Sequence, residues 1–302
     1  MSYVEVHGFS KAYGQLQAVK NLDLIAETSA IVALAGPDGA GKTTLFRALA
    51  GLLSFDSGSA TIAGLDVVTQ FNQIKPLLGY MPQNFSLYPD LSVEENLRFY
   101  SGLFGQSASE FAAEREKLYE FSGLGPFRAR RAGALSGGMK QKLALSCALV
   151  HHPKLLLLDE PTTGVDPLSR RQFWEILRQL RDSGAAIIVS TPYMDEVALA
   201  DRAIFIHKGE RLAAGTPQEL TREFRGMVFR LAVAPSAELV ARINDLSKIS
   251  ARRFGASLHL HAEAGIETSQ LAAELKRLGI EVAPEPIAPD LEDTFVQLMT
   301  QE

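Results

Sequence analysis

The chain has a single cysteine, Cys147, so no intrachain disulfide can form and a reducing compartment is the natural setting. Long hydrophobic runs are missing too. The most apolar stretch, Leu155 to Leu158, falls far short of the roughly 20 residues a membrane span needs. The start, Met1-Ser2-Tyr3-Val4-Glu5, lacks a basic end followed by an apolar run, so no signal peptide is expected. Neither charge sign dominates: Lys plus Arg is 30, Asp plus Glu is 35, and the formal charge of −5 argues against wholesale nucleic-acid binding. What is present suits a full hydrophobic core. The 302 residues are 46% hydrophobic and 22% charged, which excludes disordered and collagen-like classes. The length fits one large domain, or a medium one with an appendix.

Short apolar runs bounded by turn residues mark buried strands. Ala30 to Ala35 stops at Gly36, Leu155 to Leu158 at Asp159-Glu160-Pro161, Ala185 to Ser190 at Pro192, and Ala203 to Ile206 near Gly209. Continuous runs of this length suit strands covered on both faces. Helical patterns lie between them. Asp166 can cap a helix with Pro167 at its first position; Phe173, Ile176, Leu177 and Leu180 then recur at helical spacing, and Gly184 is a stop. Strand–helix–strand alternation of this kind predicts an α/β fold with a mostly parallel sheet. The stretch from about Gln83 to His152 has no comparable apolar run and reads as a helical insertion. After about Phe224 the pattern changes. Val228 to Val233 and Ser257 to Ala262 alternate like half-exposed strands, and Leu271, Leu275 and Leu278 line a helix that Gly279 ends. Pro284, Pro286 and Pro289 precede a last amphipathic helix bearing Leu291, Phe295 and Leu298. The tail is expected to be a small separate α+β domain.

Gly36-Pro37-Asp38-Gly39-Ala40-Gly41-Lys42-Thr43, followed by Thr44, matches the phosphate-loop pattern of Gly, four residues, then Gly-Lys-Thr. It follows a predicted strand and opens a helix. Glycines let the backbone wrap so that several N–H groups face phosphate oxygens. The helix N-terminus adds its positive dipole end. Lys42 can reach the outer phosphates, and the Thr43 hydroxyl can ligate Mg²⁺. At the end of the Leu155–Leu158 strand, Asp159 can hold the magnesium shell and Glu160 can polarise an attacking water.

Leu135-Ser136-Gly137-Gly138-Met139-Lys140-Gln141-Lys142 resembles the signature segment of ABC-transporter ATP-binding subunits. It stands about twenty residues before Leu158-Asp159-Glu160-Pro161-Thr162, and the pairing is far more specific than a phosphate loop alone. The resemblance covers about residues 2 to 220. It implies that Ser136, Gly137 and Gly138 bind nucleotide held by an opposite subunit, that Tyr13 stacks on adenine, and that Gln83 contacts magnesium and the attacking water and links the site to the membrane subunit. It also implies that Gly164-Val165-Asp166-Pro167 touches the partner's site. Phe85-Ser86-Leu87-Tyr88, Leu91 to Leu97 and Pro289 to Phe295 look like subunits of ABC-2 type exporters of multidrug or small-molecule efflux systems. The resemblance thus implies a P-loop NTPase fold of ABC type over residues 1–224, with a helical subdomain at about 84–152 and an accessory α+β domain at 225–302. The implied function is MgATP binding and hydrolysis that powers export through a separate ABC-2 type permease. Such a subunit would be cytoplasmic and peripheral on the inner face of the membrane.

Two departures are mild: Asp38 stands where many relatives have Asn, and Met139 where many have Gln. The third bears on chemistry. The family places a histidine that contacts the γ-phosphate where this chain has Pro192. Proline offers no side-chain donor or acceptor and no N–H. None of the six histidines (His7, His151, His152, His207, His259, His261) lies within a few residues of that position. This chain's own site is therefore expected to hydrolyse slowly, and the working unit to be a heterodimer with a second ATPase that retains the histidine. A homodimer tolerating the proline, a nucleotide-bound regulatory half with little turnover, and a soluble non-transport ABC ATPase are the alternatives. The last class generally carries two ATP-binding domains or long coiled-coil inserts in one chain.

Weaker signals read as structural. His259 and His261 share a strand face and are expected to be solvated. Arg128, Arg130 and Arg131, and the pair Arg170-Arg171, read as solvated surface. Cys147 is expected to pack as a small apolar residue.

Overall fold

The computed structural model describes residues 2–84, 87–246 and 248–300, so Phe85 and Ser86 of the exporter-like Phe85–Tyr88 segment lie outside the described residues. Two compact units are present, Met1–Thr216 and Pro217–Glu302. Among the described residues no helix is long and apolar enough to cross a membrane.

The first unit opens with β1 (Ser2–Tyr13), β2 (Leu16–Glu27) and β3 (Ala30–Ala35), then α1 (Lys42–Leu49), β4 (Ser57–Ile62), β5 (Leu65–Asp66), α2 (Phe71–Ile74) and β6 (Leu78–Met81). Three helices follow: α3 (Val93–Leu103), α4 (Ala108–Ser122) and α5 (Gly137–Leu149). The unit ends with β7 (Leu155–Asp159), α6 (Pro167–Asp182), β8 (Ala186–Thr191), α7 (Met194–Val197), β9 (Arg202–His207) and β10 (Glu210–Gly215). The main sheet has the order β10-β9-β3-β8-β7-β6, parallel except at β10. Every residue of β7 and β8 is buried, as two-sided cover requires. A second, antiparallel sheet has the order β2-β1-β4-β5. Side chains of both sheets and of α1 share one core that includes Phe9, Leu24, Val32, Phe46, Leu155 and Ile188.

The helical stretch is punctuated by its caps. Ser92 and Ser107 each accept a hydrogen bond from the third helical residue, whose glutamate bonds back to the cap amide. Helix α6 starts at Asp166, whose carboxylate accepts from the Ser169 amide at 2.9 Å, with Pro167 at its first position. It buries Phe173, Trp174, Ile176 and Leu177. Gly184, at φ +104°, closes it with its amide on Arg181 O and the next amide on Leu180 O.

The second unit holds α8 (Pro217–Arg222), β11 (Met227–Leu231), α9 (Ala237–Asn244), β12 (Ile249–Phe254), β13 (Ser257–Ala262), α10 (Thr268–Arg277), β14 (Glu285–Ile287) and α11 (Leu291–Thr300). Its sheet is antiparallel, in the order β12-β13-β11-β14. One face joins α9 and α10 in a core of Phe229, Leu231, Ile243, Leu258, Leu260, Leu271 and Leu275. The unit begins eight residues before the expected boundary at 224/225, because α8 packs on α11 rather than belonging to the preceding unit. The proline-rich segment also holds a short strand, which was not expected. Pro286 lies in β14, an edge strand, where a missing N–H is tolerated.

Three side chains expected to be solvated are instead drawn in: His259, His261 and Arg170. His259 and His261 do share a face, but both are enclosed: Asp293 of α11 places Oδ1 at 3.0 Å from His259 Nδ1 and 2.7 Å from His261 Nε2. Phe254 stacks on His259 at 3.9 Å between ring centroids. Arg170 is also drawn in, over the Tyr193 ring at 4.1 Å and within 3.4 Å of Glu196. Arg128, Arg130, Arg131 and Arg171 are exposed, and Cys147 is buried, its thiol pushed up by that burial.

Candidate functional site

The loop Gly36–Thr43 joins the buried β3 to α1. Its glycines have separate reasons. A Cβ on Gly36 would lie 2.2 Å from the Ile206 carbonyl oxygen, and one on Gly41 would lie 2.4 Å from that of Ala18. Gly41 also caps α1 at φ +106°, a conformation that side chains resist. Gly39, at φ +78°, has open space around it. The loop thus folds tightly against β2 and β9 while its far side stays open.

That open side faces a cleft of ≈ 340 Å³ lined by Tyr13, Asp38, Gly39, Ala40, Gly41, Lys42, Thr43, Thr44, Gln83 and Glu160, with Leu16 and Ala18. Tyr13 stands at its rim, 46% exposed. Lys42 is buried: its Nζ donates to Gly36 O at 2.8 Å and Pro37 O at 3.0 Å and pairs with Glu160 Oε1 at 3.0 Å. Gln83 Nε2 donates to Glu160 Oε2 at 2.9 Å, and Thr163 Oγ1 donates to the same oxygen at 3.3 Å.

Glu160 has φ +49°, a left-handed value that a non-glycine residue holds only where its surroundings impose it. Part of that restraint comes from Ser190 on β8, whose hydroxyl donates to Asp159 Oδ1 at 2.7 Å and accepts from the Glu160 amide at 2.9 Å. Asp159 Oδ2 is buried with no hydrogen-bond partner among the described residues. Burial pushes the Asp159 carboxyl above its usual range, against the pull of Ser190, Thr43 and Lys42. An orphaned carboxylate oxygen near a threonine hydroxyl suits a hard cation such as Mg²⁺. Ser190 and the buried Glu196 were missed from sequence. Ser190 had a usable signal, as the polar end of the strand beside Leu155–Asp159.

Ser136, Gly137 and Gly138 stand apart from this cleft. Ser136 caps α5, accepting from the Met139 amide at 3.4 Å, and Ser136 and Gly137 are exposed. A Cβ on Gly138 would meet Ser169 at 2.7 Å, and one on Gly137 would meet Gly164 O at 3.5 Å. The signature segment and the Gly164–Asp166 loop therefore form one neighbourhood, outside the lining of the cleft that holds Lys42. Pro192 follows β8, and the Tyr193 amide donates to Thr191 Oγ1 at 3.1 Å.

A phosphate loop, paired acids at the end of a buried strand, and a capped helix start on a separate surface define an ATP-binding cassette. Comparison with known proteins agrees. The ABC transporter family model matches residues 19–163. The probable multidrug ABC transporter ATP-binding protein YbhF of Escherichia coli (strain K12) is 40% identical over 98% of this chain, which spans about half, 52%, of that protein's length. The Nod factor export ATP-binding protein I of Rhizobium etli is 34% identical over 100% of this chain and 95% of its own. Among solved structures, an ATP-binding subunit of an ABC transporter superposes with a TM-score of 0.67 at 28% identity, covering 74% of this chain and 93% of its own. The cbiO1 protein of Clostridium perfringens shares the fold at 22% identity, with a TM-score of 0.68. The chain belongs to the ABC transporter family, as an ATP-binding member.

Proposed function

We propose that this chain binds MgATP and hydrolyses it as the energising subunit of an exporter, driving a separate ABC-2 type permease from the inner face of the membrane. The observation that carries the reading is the convergence of Lys42 and Gln83 on Glu160 beside the phosphate loop. The relatives named for multidrug and Nod factor export support the transport part.

In this reading the loop amides and Lys42 hold the triphosphate while Tyr13 stacks on adenine. Thr43, Asp159 and Gln83 would hold magnesium, which neutralises charge on the transferring phosphoryl group. Glu160 accepts a proton from the water whose oxygen attacks the γ-phosphorus, and the bond to the bridging oxygen breaks to leave ADP. Ser136, Gly137 and Gly138 close over nucleotide on a second ATP-binding subunit. Loss of the γ-phosphate then opens the pair.

Pro192 supports a division of labour. This chain's own cleft lacks the switch histidine, while its signature segment is intact for a partner's site. The working unit is thus a heterodimer in which the partner turns over faster. The same residue favours the second reading, a nucleotide-bound regulatory half. Single-turnover hydrolysis by the complex, with the partner's catalytic glutamate removed, separates the two. Phosphate release from this chain's site supports the first reading, and none supports the second. Affinity purification from detergent-solubilised membranes tests the transport role: recovery of a permease is expected, and recovery with ribosomes alone would contradict it.

A further inference from the structure

Glu196 is a buried acid outside the cleft lining. It lies on α7, four residues after Pro192, and is 1% exposed. Each carboxylate oxygen takes a short hydrogen bond from a different segment: Oε1 from Thr162 Oγ1 and Oε2 from Thr191 Oγ1, both at 2.6 Å. Arg170 Nε, on α6, stands 3.4 Å from Oε1. Burying a carboxylate is costly unless such partners surround it, so this acid is held for what it joins.

The joined segments all bear on hydrolysis. Thr162 lies two residues after Glu160, whose left-handed backbone needs outside restraint. Thr191 lies between Ser190, which already holds Asp159 and the Glu160 amide, and the switch position Pro192. Arg170 sits one turn into the helix that follows the Gly164–Asp166 loop. Ser190 therefore grips the turn at Glu160 itself and Glu196 grips it two residues on. Pro192 has no side-chain donor with which to help.

We propose that Glu196 is a positioning residue for ATP hydrolysis. Acting through Thr162 and Thr191, it ties the Glu160 turn to the end of β8 and keeps the Glu160 carboxylate where water must be activated. The proposal rests on the ATPase reading above and adds to it a residue that touches neither nucleotide nor water.

The test uses the full chain in its transporter complex, comparing Glu196→Ala and the shape-preserving Glu196→Gln with wild type, and Thr162→Val as a variant that removes one bond without moving the acid. Single-turnover hydrolysis at this chain's site is expected to fall about tenfold to a hundredfold in Glu196→Ala. The Kd for MgATP should stay within about twofold, because the loop Gly36–Thr43 is untouched. Glu196→Gln should recover part of the rate. An unchanged rate, or a parallel loss of rate and ATP affinity in all three variants, would overturn the proposal. If wild type itself binds ATP but does not turn over, the ATPase reading fails separately. The positioning claim is then read from amide hydrogen exchange: Glu196→Ala should speed exchange at residues 160–163 more than elsewhere, and unchanged protection there would overturn it.

Discussion

Lys42 and Glu160 meet at 3.0 Å with side chains only 3% and 4% exposed, which makes them a buried ion pair directly beneath the phosphate loop. Each charge depends on the other for compensation. Removing one partner of such a pair typically costs about 3–5 kcal/mol, because the remaining charge stays buried. Lys42→Ala should thus lower the unfolding free energy of the nucleotide-free chain in urea by about 3 kcal/mol. Gln83 and Thr163 alone would then face Glu160. A loss under about 0.5 kcal/mol would mean that Glu160 is relieved by water or by rearrangement.

The glycines of the loop should separate by cause. Gly41→Ala meets both a positive φ and a carbonyl oxygen at 2.4 Å, so it should destabilise the chain by about 2 kcal/mol and weaken MgATP binding. Gly39→Ala meets a positive φ alone and should cost about 1 kcal/mol. Thermal unfolding and nucleotide titration of the two variants check the order; equal effects would contradict it.

Pro192→His restores an imidazole at the switch position. The single-turnover rate at this chain's own site should rise, on the order of tenfold, toward what a positioned proton donor contributes. An unchanged rate would show that the missing histidine is not the limiting defect.

In the second unit, burial alone would raise the Asp293 carboxyl, yet the hydrogen bonds from His261 and His259 outweigh it and lower the group to about 2. A carboxyl lowered by folding contributes stability above its unfolded pKa of about 4, and that contribution is lost as pH falls toward 2. Stability of this unit should therefore fall as pH drops through that window. His261→Phe should move the midpoint of its acid unfolding upward and cost on the order of 1 kcal/mol at neutral pH. Intrinsic tryptophan emission cannot follow this, since Trp174 lies in the first unit, so NMR or hydrogen exchange is the suitable probe.

Much of the first unit was legible because its strands are covered on both faces. Uninterrupted apolar runs at Ala30–Ala35 and Leu155–Leu158 carry that signal without any partner information. Helix α6 was legible from Asp166, Pro167 and Gly184, which act locally. The misread parts depend on contacts distant in sequence. Alternation at Ser257–Ala262 shows that His259 and His261 share a face, but not that Asp293, more than thirty residues later, covers it. Glu196 followed the same rule. Nothing local distinguishes it from the exposed Asp195, and only the return of β8 beside β7 sets Thr162 and Thr191 against it. Nor could alternation anticipate β14, whose pairing to β11 accommodates Pro286 at the sheet edge.

The most direct test of the account is equilibrium titration of the purified chain with ATP, in magnesium and in excess EDTA, alone and with its membrane partners. The account predicts magnesium-dependent binding at this chain's own cleft that Lys42→Ala abolishes there and that Glu160→Gln retains while hydrolysis at that cleft stops. No magnesium-dependent affinity for ATP under either condition would contradict it.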